Sequence, residues 1–151
     1  MAEVSVRRAD ITELEGVSAL FDLYRQFYKK NSAPEAARSF LQERMLNHES
    51  VIFSAVVDKG EIVGFTQLYP GFTSLGLGRT WILNDLYVAE SYRRQGIAEK
   101  LMLAAHEHAK QTNARAIILE TQVENRRAQA LYEKLGYSVE EGFFVYSLPI
   151  K

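Results

Sequence analysis

The sequence predicts an α/β (mixed α+β) domain in which four helices flank a central twisted mixed sheet of about seven strands. Three observations lead there. Segments of strand, helix, strand and helix character follow one another from residue 80 to residue 136, and strands joined through a helix need a crossover, which makes that part of the sheet parallel. Asp58-Lys59-Gly60-Glu61 separates two apolar strands, so the middle of the chain folds back as an antiparallel hairpin. Ahead of both, Leu14, Val17, Phe21, Tyr24 and Tyr28 recur at helical spacing.

Each element follows from local chemistry. Val4 to Arg8 is a short first strand, and Thr12 with Glu15 forms a capping box for the first helix. Ser32 with Glu35 caps a second helix running to Leu46, with Pro34 tolerated in its first turn. Val51 to Val57 and Ile62 to Tyr69 are the hairpin strands. Pro70-Gly71 breaks the second of them, and a glycine-punctuated loop follows to Gly78. Thr80 to Val88 is a strand, Gly96 to Thr112 a helix, and Ala116 to Thr121 a nearly continuous apolar strand. Asn125 to Leu135 is a helix stopped by Gly136, and two final strands flank Glu141-Gly142.

Composition narrows the function. The chain has 151 residues, enough for a single domain spanning 1–151. It contains no cysteine, which removes disulfides, thiolate catalysis and cysteine-ligated zinc. Its formal net charge of -1 argues against indiscriminate nucleic-acid binding. No apolar run approaches a membrane span, and Met-Ala-Glu-Val-Ser lacks an apolar leader core, so a cytoplasmic location is expected. No His/Asp/Glu cluster has metal-ligand spacing.

The most informative segment is Asp85 to Ile97, where a strand of alternating apolar residues runs through a basic turn into a glycine at a helix start. The free amides of a first helical turn and the helix dipole attract phosphate. The turn Arg93-Arg94-Gln95-Gly96-Ile97-Ala98 is therefore a candidate cradle, with the two arginines adding charge-assisted contacts. A solvated surface turn is the bland alternative. Neither the three-glycine dinucleotide fingerprint nor a P-loop is present.

The stretch Leu83 to Ala98 resembles the acyl-coenzyme-A-binding motif of the GCN5-related N-acetyltransferases (GNAT superfamily). Asn125-Arg-Arg-Ala128-Gln-Ala-Leu-Tyr132-Glu-Lys-Leu-Gly-Tyr137 is similar to that family's second signature. The wording around Trp81 to Tyr87 looks closest to the small Hpa2-like branch. The resemblance implies a GNAT-like fold and an enzyme transferring acetyl from acetyl-CoA, as cosubstrate, to a primary amine of a small molecule or protein in a ternary complex. It implies that the amides around Arg94, Gln95, Gly96, Ile97 and Ala98 bind the pyrophosphate. The backbone of Leu86, Tyr87 and Val88 would pair with the pantetheine arm, in an opening between that strand and the next. Asn125 would hydrogen-bond the pantetheine, Arg93 and Arg127 would meet coenzyme phosphates, and Tyr132 would protonate the leaving thiolate. A non-catalytic acyl-CoA sensor is the rival reading.

Chemistry sets what else is needed. An alkylamine with a pKa near 10 is neutral in only about one molecule in a thousand at pH 7, so a base must take its proton. Some relatives carry glutamate where this chain has Asn84, which cannot serve. Asp85 is adjacent, but strand alternation turns it to the opposite face unless a bulge intervenes. Glu120 and a water relay are the other options. Tyr132 shares an apolar helical stripe with Ala128, Leu131 and Leu135, so its residues alone also fit core packing. Tyr24, Tyr28, Tyr69, Phe72, Trp81, Phe143 and Tyr146 supply aromatic faces for an ammonium, and Asp22, Asp85, Glu140 and Glu141 supply negative charge. A C-terminal edge strand apolar on both faces, Phe143 to Leu148, leads to the expectation of a homodimer.

Overall fold

A computed structural model describes residues 3–151. Met1 and Ala2, part of the N-terminus read above as leaderless, lie outside the described residues. The chain divides into two compact units, Met1–Glu120 and Thr121–Lys151. No helix of the described residues is long and apolar enough to cross a membrane.

The first unit contains β1 (Ser5–Arg8), α1 (Leu14–Phe27), α2 (Pro34–Leu46), β2 (Val51–Val56), β3 (Ile62–Thr73), β4 (Gly78–Val88), α3 (Ile97–Gln111) and β5 (Ala116–Ile118). The strands lie in one sheet in chain order, antiparallel from β1 to β4 and parallel between β4 and β5. Helices α1 and α2 pack on one face around Leu14, Val17, Phe21, Leu41, Ile52 and Phe65. Helix α3 covers the other with Ile97 and Leu101 against Ala55, Val63 and Val88. Leu41, Phe65 and Leu101 are fully buried, each worth about 1.5–3 kcal/mol relative to exposure. Gly64 lets the start of α3 settle onto the sheet, since a Cβ there would lie 3.1 Å from the Tyr87 carbonyl and 3.3 Å from Leu101.

Several boundaries differ from the sequence reading. Asp10, not Thr12, is the first capping residue: its carboxylate accepts from the Thr12 amide at 2.9 Å, and Glu15 turns outward to Arg38. Ser32 does not cap α2. Its hydroxyl donates to Asp22 of α1 at 2.7 Å, and the same carboxylate accepts from the Ala33 amide at 2.7 Å, so Asp22 organises the start of α2 from outside. Pro70-Gly71 does not end β3. The β2 partner stops at Val51 opposite Leu68, so Pro70 lies where only β4 is a neighbour, an edge position that tolerates a missing N–H.

The second unit holds α4 (Arg126–Lys134), capped by the Asn125 side chain, which accepts from the Ala128 amide at 3.2 Å. Residues 138–151 form no strand, and the sheet among the described residues has five strands instead of about seven. An isolated hairpin is marginal by itself, and the strand assignment at Phe143 to Leu148 is corrected accordingly. The last strand of the sheet is also shorter than expected, ending at Ile118.

Candidate active site

The site is built around a bulge in β4. Gln67 pairs with Asp85 and the next residue, Leu68, pairs with Leu83, which leaves Asn84 as an extra residue. Without it, Asp85 would share a face with Trp81 and Leu83. The inserted residue flips the parity, so Asp85 and Tyr87 join Phe65 and Gln67 on the face covered by α1.

There Asp85 is 2% exposed. Gln67 Nε2 donates to Asp85 Oδ2 at 2.5 Å, and Asn84 Nδ2 donates to Oδ1 at 2.8 Å. Tyr24 of α1 donates its hydroxyl to the bulged Asn84 carbonyl at 3.2 Å and also engages the Asp85 carboxylate. Burial is the largest influence on Asp85 and raises its pKa above the ordinary carboxylate value, with the bonds from Asn84, Gln67 and Tyr24 opposing it. No cation is among those influences, so this carboxylate is buried with neutral partners. Burial and the charge of Asp85 push the phenols of Tyr24 and Tyr69 well up. Gln67 escaped the sequence reading. A lone amide within the apolar run Ile62 to Leu68 was its signal.

The candidate turn Arg93–Ala98 joins β4 to α3. Gly96 is the N-cap of α3 with φ 78, and no side chain caps the helix start. A Cβ at Gly96 would meet nothing within 4 Å, so packing does not require the glycine; its backbone and the open space over it do. Arg94 is also left-handed, at φ 64, a strain of about 1–2 kcal/mol, and such turns form anion-binding concavities. Arg94, Gln95 and Gly96 are exposed, while Ile97 anchors the turn in the core. Arg93 is used differently from a simple phosphate ligand. Its Nε donates to the Val88 carbonyl at 2.8 Å, and its guanidinium lies 5.2 Å from the Tyr87 ring and 5.9 Å from that of Phe27.

Between bulge and turn, β4 has an open edge. Its pairing with β5 covers Thr80 to Ile82 only. The Ala89 amide donates to Val63 across the ladder, so Val88, opposite Gly64, exchanges no bonds with β3 and turns its amide and carbonyl outward, and Leu86 does the same. The Leu86 amide and carbonyl and the Val88 amide are groups that an extended amide-bearing chain can pair with, the Val88 carbonyl being held by Arg93.

Other candidates are placed elsewhere. Asp22 spends its carboxylate on Ser32, Ala33 and Gln26, and those bonds hold its pKa below the usual range, so its candidacy for substrate charge is not supported. Glu120 is exposed beyond the end of β5. In the second unit, Asn125 Oδ1 is committed to the helix cap, leaving its amide group for other partners, and Arg127 is exposed. The rings of Tyr132 and Tyr137 lie 6.0 Å apart, and burial pushes the Tyr137 phenol up to about 12.

Comparison with known proteins identifies the fold and the family. Residues 17–137 match the family model described as Acetyltransferase (GNAT) family. The chain is 41% identical over 147 residues to an uncharacterized N-acetyltransferase, YhfO, of Bacillus subtilis, covering 97% of this chain and 98% of that one. It is 26% identical over 141 residues to the D-amino-acid N-acetyltransferase HPA3 of Saccharomyces cerevisiae, covering 91% and 87%. The crystal structure of a probable acetyltransferase superposes with a TM-score of 0.92 at 42% identity, covering 97% of this chain and 98% of that one. The chain belongs to the GNAT acetyltransferase family, and it is an N-acetyltransferase that uses acetyl-CoA as its cosubstrate.

Proposed function

We propose that this enzyme acetylates a primary amine of a small molecule or protein by direct attack in a ternary complex, with Asp85 as the final acceptor of the amine proton. The observation that carries this reading is the bulge at Asn84. It turns a carboxylate buried without a cationic partner onto the face shared with Tyr24 and Tyr69, and a cationic ammonium is the charge such a group accommodates best.

Acetyl-CoA supplies an activated acyl carbonyl. The amides of Arg94 to Ala98 hold its pyrophosphate, and the outward peptide groups of Leu86 and Val88, with Tyr87 between them, align its arm. Arg93 braces the turn on the strand, and Arg94 and Arg127 add positive charge. In the second unit, Asn125 donates its amide to the coenzyme, and Tyr132 supplies a proton to the departing thiolate. Phenols as a class carry their proton at neutral pH and can donate it to a departing thiolate.

The acceptor belongs with those of the Hpa2-like branch. The yeast relative is named for D-amino acids, so amino acids join polyamines, aminoglycosides and peptidyl lysine as test amines. A panel of these with acetyl-CoA, followed by free-thiol release, should single out one class. Thiol release unchanged by every amine would contradict the reading. The same proposal includes a homodimer formed through the apolar segment Phe143 to Leu148. Light scattering is expected to give about twice the 17.2 kDa chain mass, and a monomer persisting at high concentration would exclude it.

A further inference from the structure

Asp85, at 2% exposure, is closed off from a bulky acceptor by its own neighbours. Of the groups around it, Gln67 is buried, Asn84 exposed and Tyr24 of α1 half-buried. Its ring is fixed by Phe21, Tyr28, Phe65 and Tyr87, with centroids 5.1 to 6.3 Å away. Its hydroxyl donates to the bulged Asn84 carbonyl at 3.2 Å, the peptide next to Asp85, and acts on the Asp85 carboxylate from there. Tyr69 feels the charge of Asp85 without a hydrogen bond to it.

We propose that Tyr24 is a catalytic residue, the relay that carries the proton of the acceptor amine to Asp85. This rests on the reading of Asp85 as the final proton acceptor. One N–H bond of the substrate ammonium breaks as an O–H bond forms on Tyr24, while the original Tyr24 proton, rotated away from the Asn84 carbonyl, passes to the carboxylate. The electron pair left on nitrogen is the pair that attacks the acyl carbonyl. Asp85 gains one proton, the amine loses one, and Tyr24 ends unchanged. Burial and the adjacent carboxylate hold the Tyr24 phenol protonated, so the two protons move together, without a resting phenolate. The groups facing this pair are Tyr28 from α1, Tyr69 and Gln67 from β3, and Asn84 from β4; Arg44 of α2 acts on Tyr69.

The alternative is that Tyr24 only braces the bulge. Protein labelled with ¹³C at tyrosine Cζ first tests, without any acceptor, the Tyr24–Asp85 coupling that the relay requires, and the Y24F kinetics then separate the two. Tyr24→Phe assigns the resonance, and titration from pH 4 to 9 is expected to shift it as Asp85 ionises, a response absent in Asp85→Asn. With D-lysine, spermidine and kanamycin as probes, Y24F should lose about tenfold or more in kcat/KM for the amine. Its affinity for coenzyme A should be unchanged, and the acid limb of its pH profile should move. A flat Tyr24 resonance, or a Y24F enzyme with the wild-type pH profile, overturns the relay. Full activity in D85N removes both the relay and the Asp85 reading. An impaired D85N beside a normal Y24F removes only the relay.

Discussion

Gln67 and Asp85 lie opposite one another on β3 and β4, with the amide Nε2 donating to carboxylate Oδ2 at 2.5 Å and both side chains buried. This contact exists because Asn84 is bulged out of the ladder one residue earlier. A carboxylate held by amides and a phenol, with no cation among the described residues that act on it, is a costly thing to bury. The cost is expected where function requires it.

That cost is measurable as stability. The folded protein holds a proton on Asp85 more tightly than the unfolded chain does, because burial raises its pKa. Stability therefore falls as pH rises from the unfolded value, about 3.9, through the raised folded one. Asp85→Asn should resist urea at least as well as the wild type at pH 7, and lose that advantage near pH 4. A variant clearly less stable at pH 7 would mean that the carboxylate supports the fold.

Gly96 combines a left-handed backbone with open space where a side chain would stand. Gly96→Val should cost stability by about 1–2 kcal/mol from the backbone alone and weaken coenzyme A binding tenfold or more by blocking phosphate approach. Gly60, also left-handed with free space around it, gives the control: Gly60→Ala carries comparable strain away from the turn and should bind coenzyme A normally. Calorimetry on both variants checks this, and equal affinity in the two would take the turn out of the coenzyme site.

The left-handed glycine turn into α3 was legible in sequence because Gly96 stands between an apolar strand and a long helical stretch. The alternation of apolar residues along β4 likewise announced the sheet. The face of Asp85 was not legible, since a bulge changes parity without leaving a residue-type signature, and Asn84 looked like a lost carboxylate. The capping pattern at Ser32 misled for a similar reason. Asp22 lies ten residues upstream, and only the packing of α1 on α2 brings its carboxylate to the Ala33 amide. Pro70 read as a strand end because the sequence does not show that β2 stops two residues before it, at the partner of Leu68.

Tyr132 tests the part assigned to the second unit. Tyr132→Phe keeps the ring that lies 6.0 Å from Tyr137 and removes the proton donor alone. A fall in kcat of roughly 10- to 1000-fold, with little change in melting temperature, is the expected outcome of losing a general acid. An unchanged kcat under conditions where chemistry limits the rate would return the residue to packing.

The most direct test of the central claim is the pH dependence of kcat/KM for the amine in wild type and Asp85→Asn, with coenzyme A affinity measured alongside. The wild type should lose activity on the acid side at a midpoint above the ordinary carboxylate value, as Asp85 takes up a proton. D85N should bind coenzyme A normally, transfer acetyl slowly, and lack that limb. A D85N enzyme with wild-type rate and the same acid limb would show that the buried carboxylate takes no part in the chemistry.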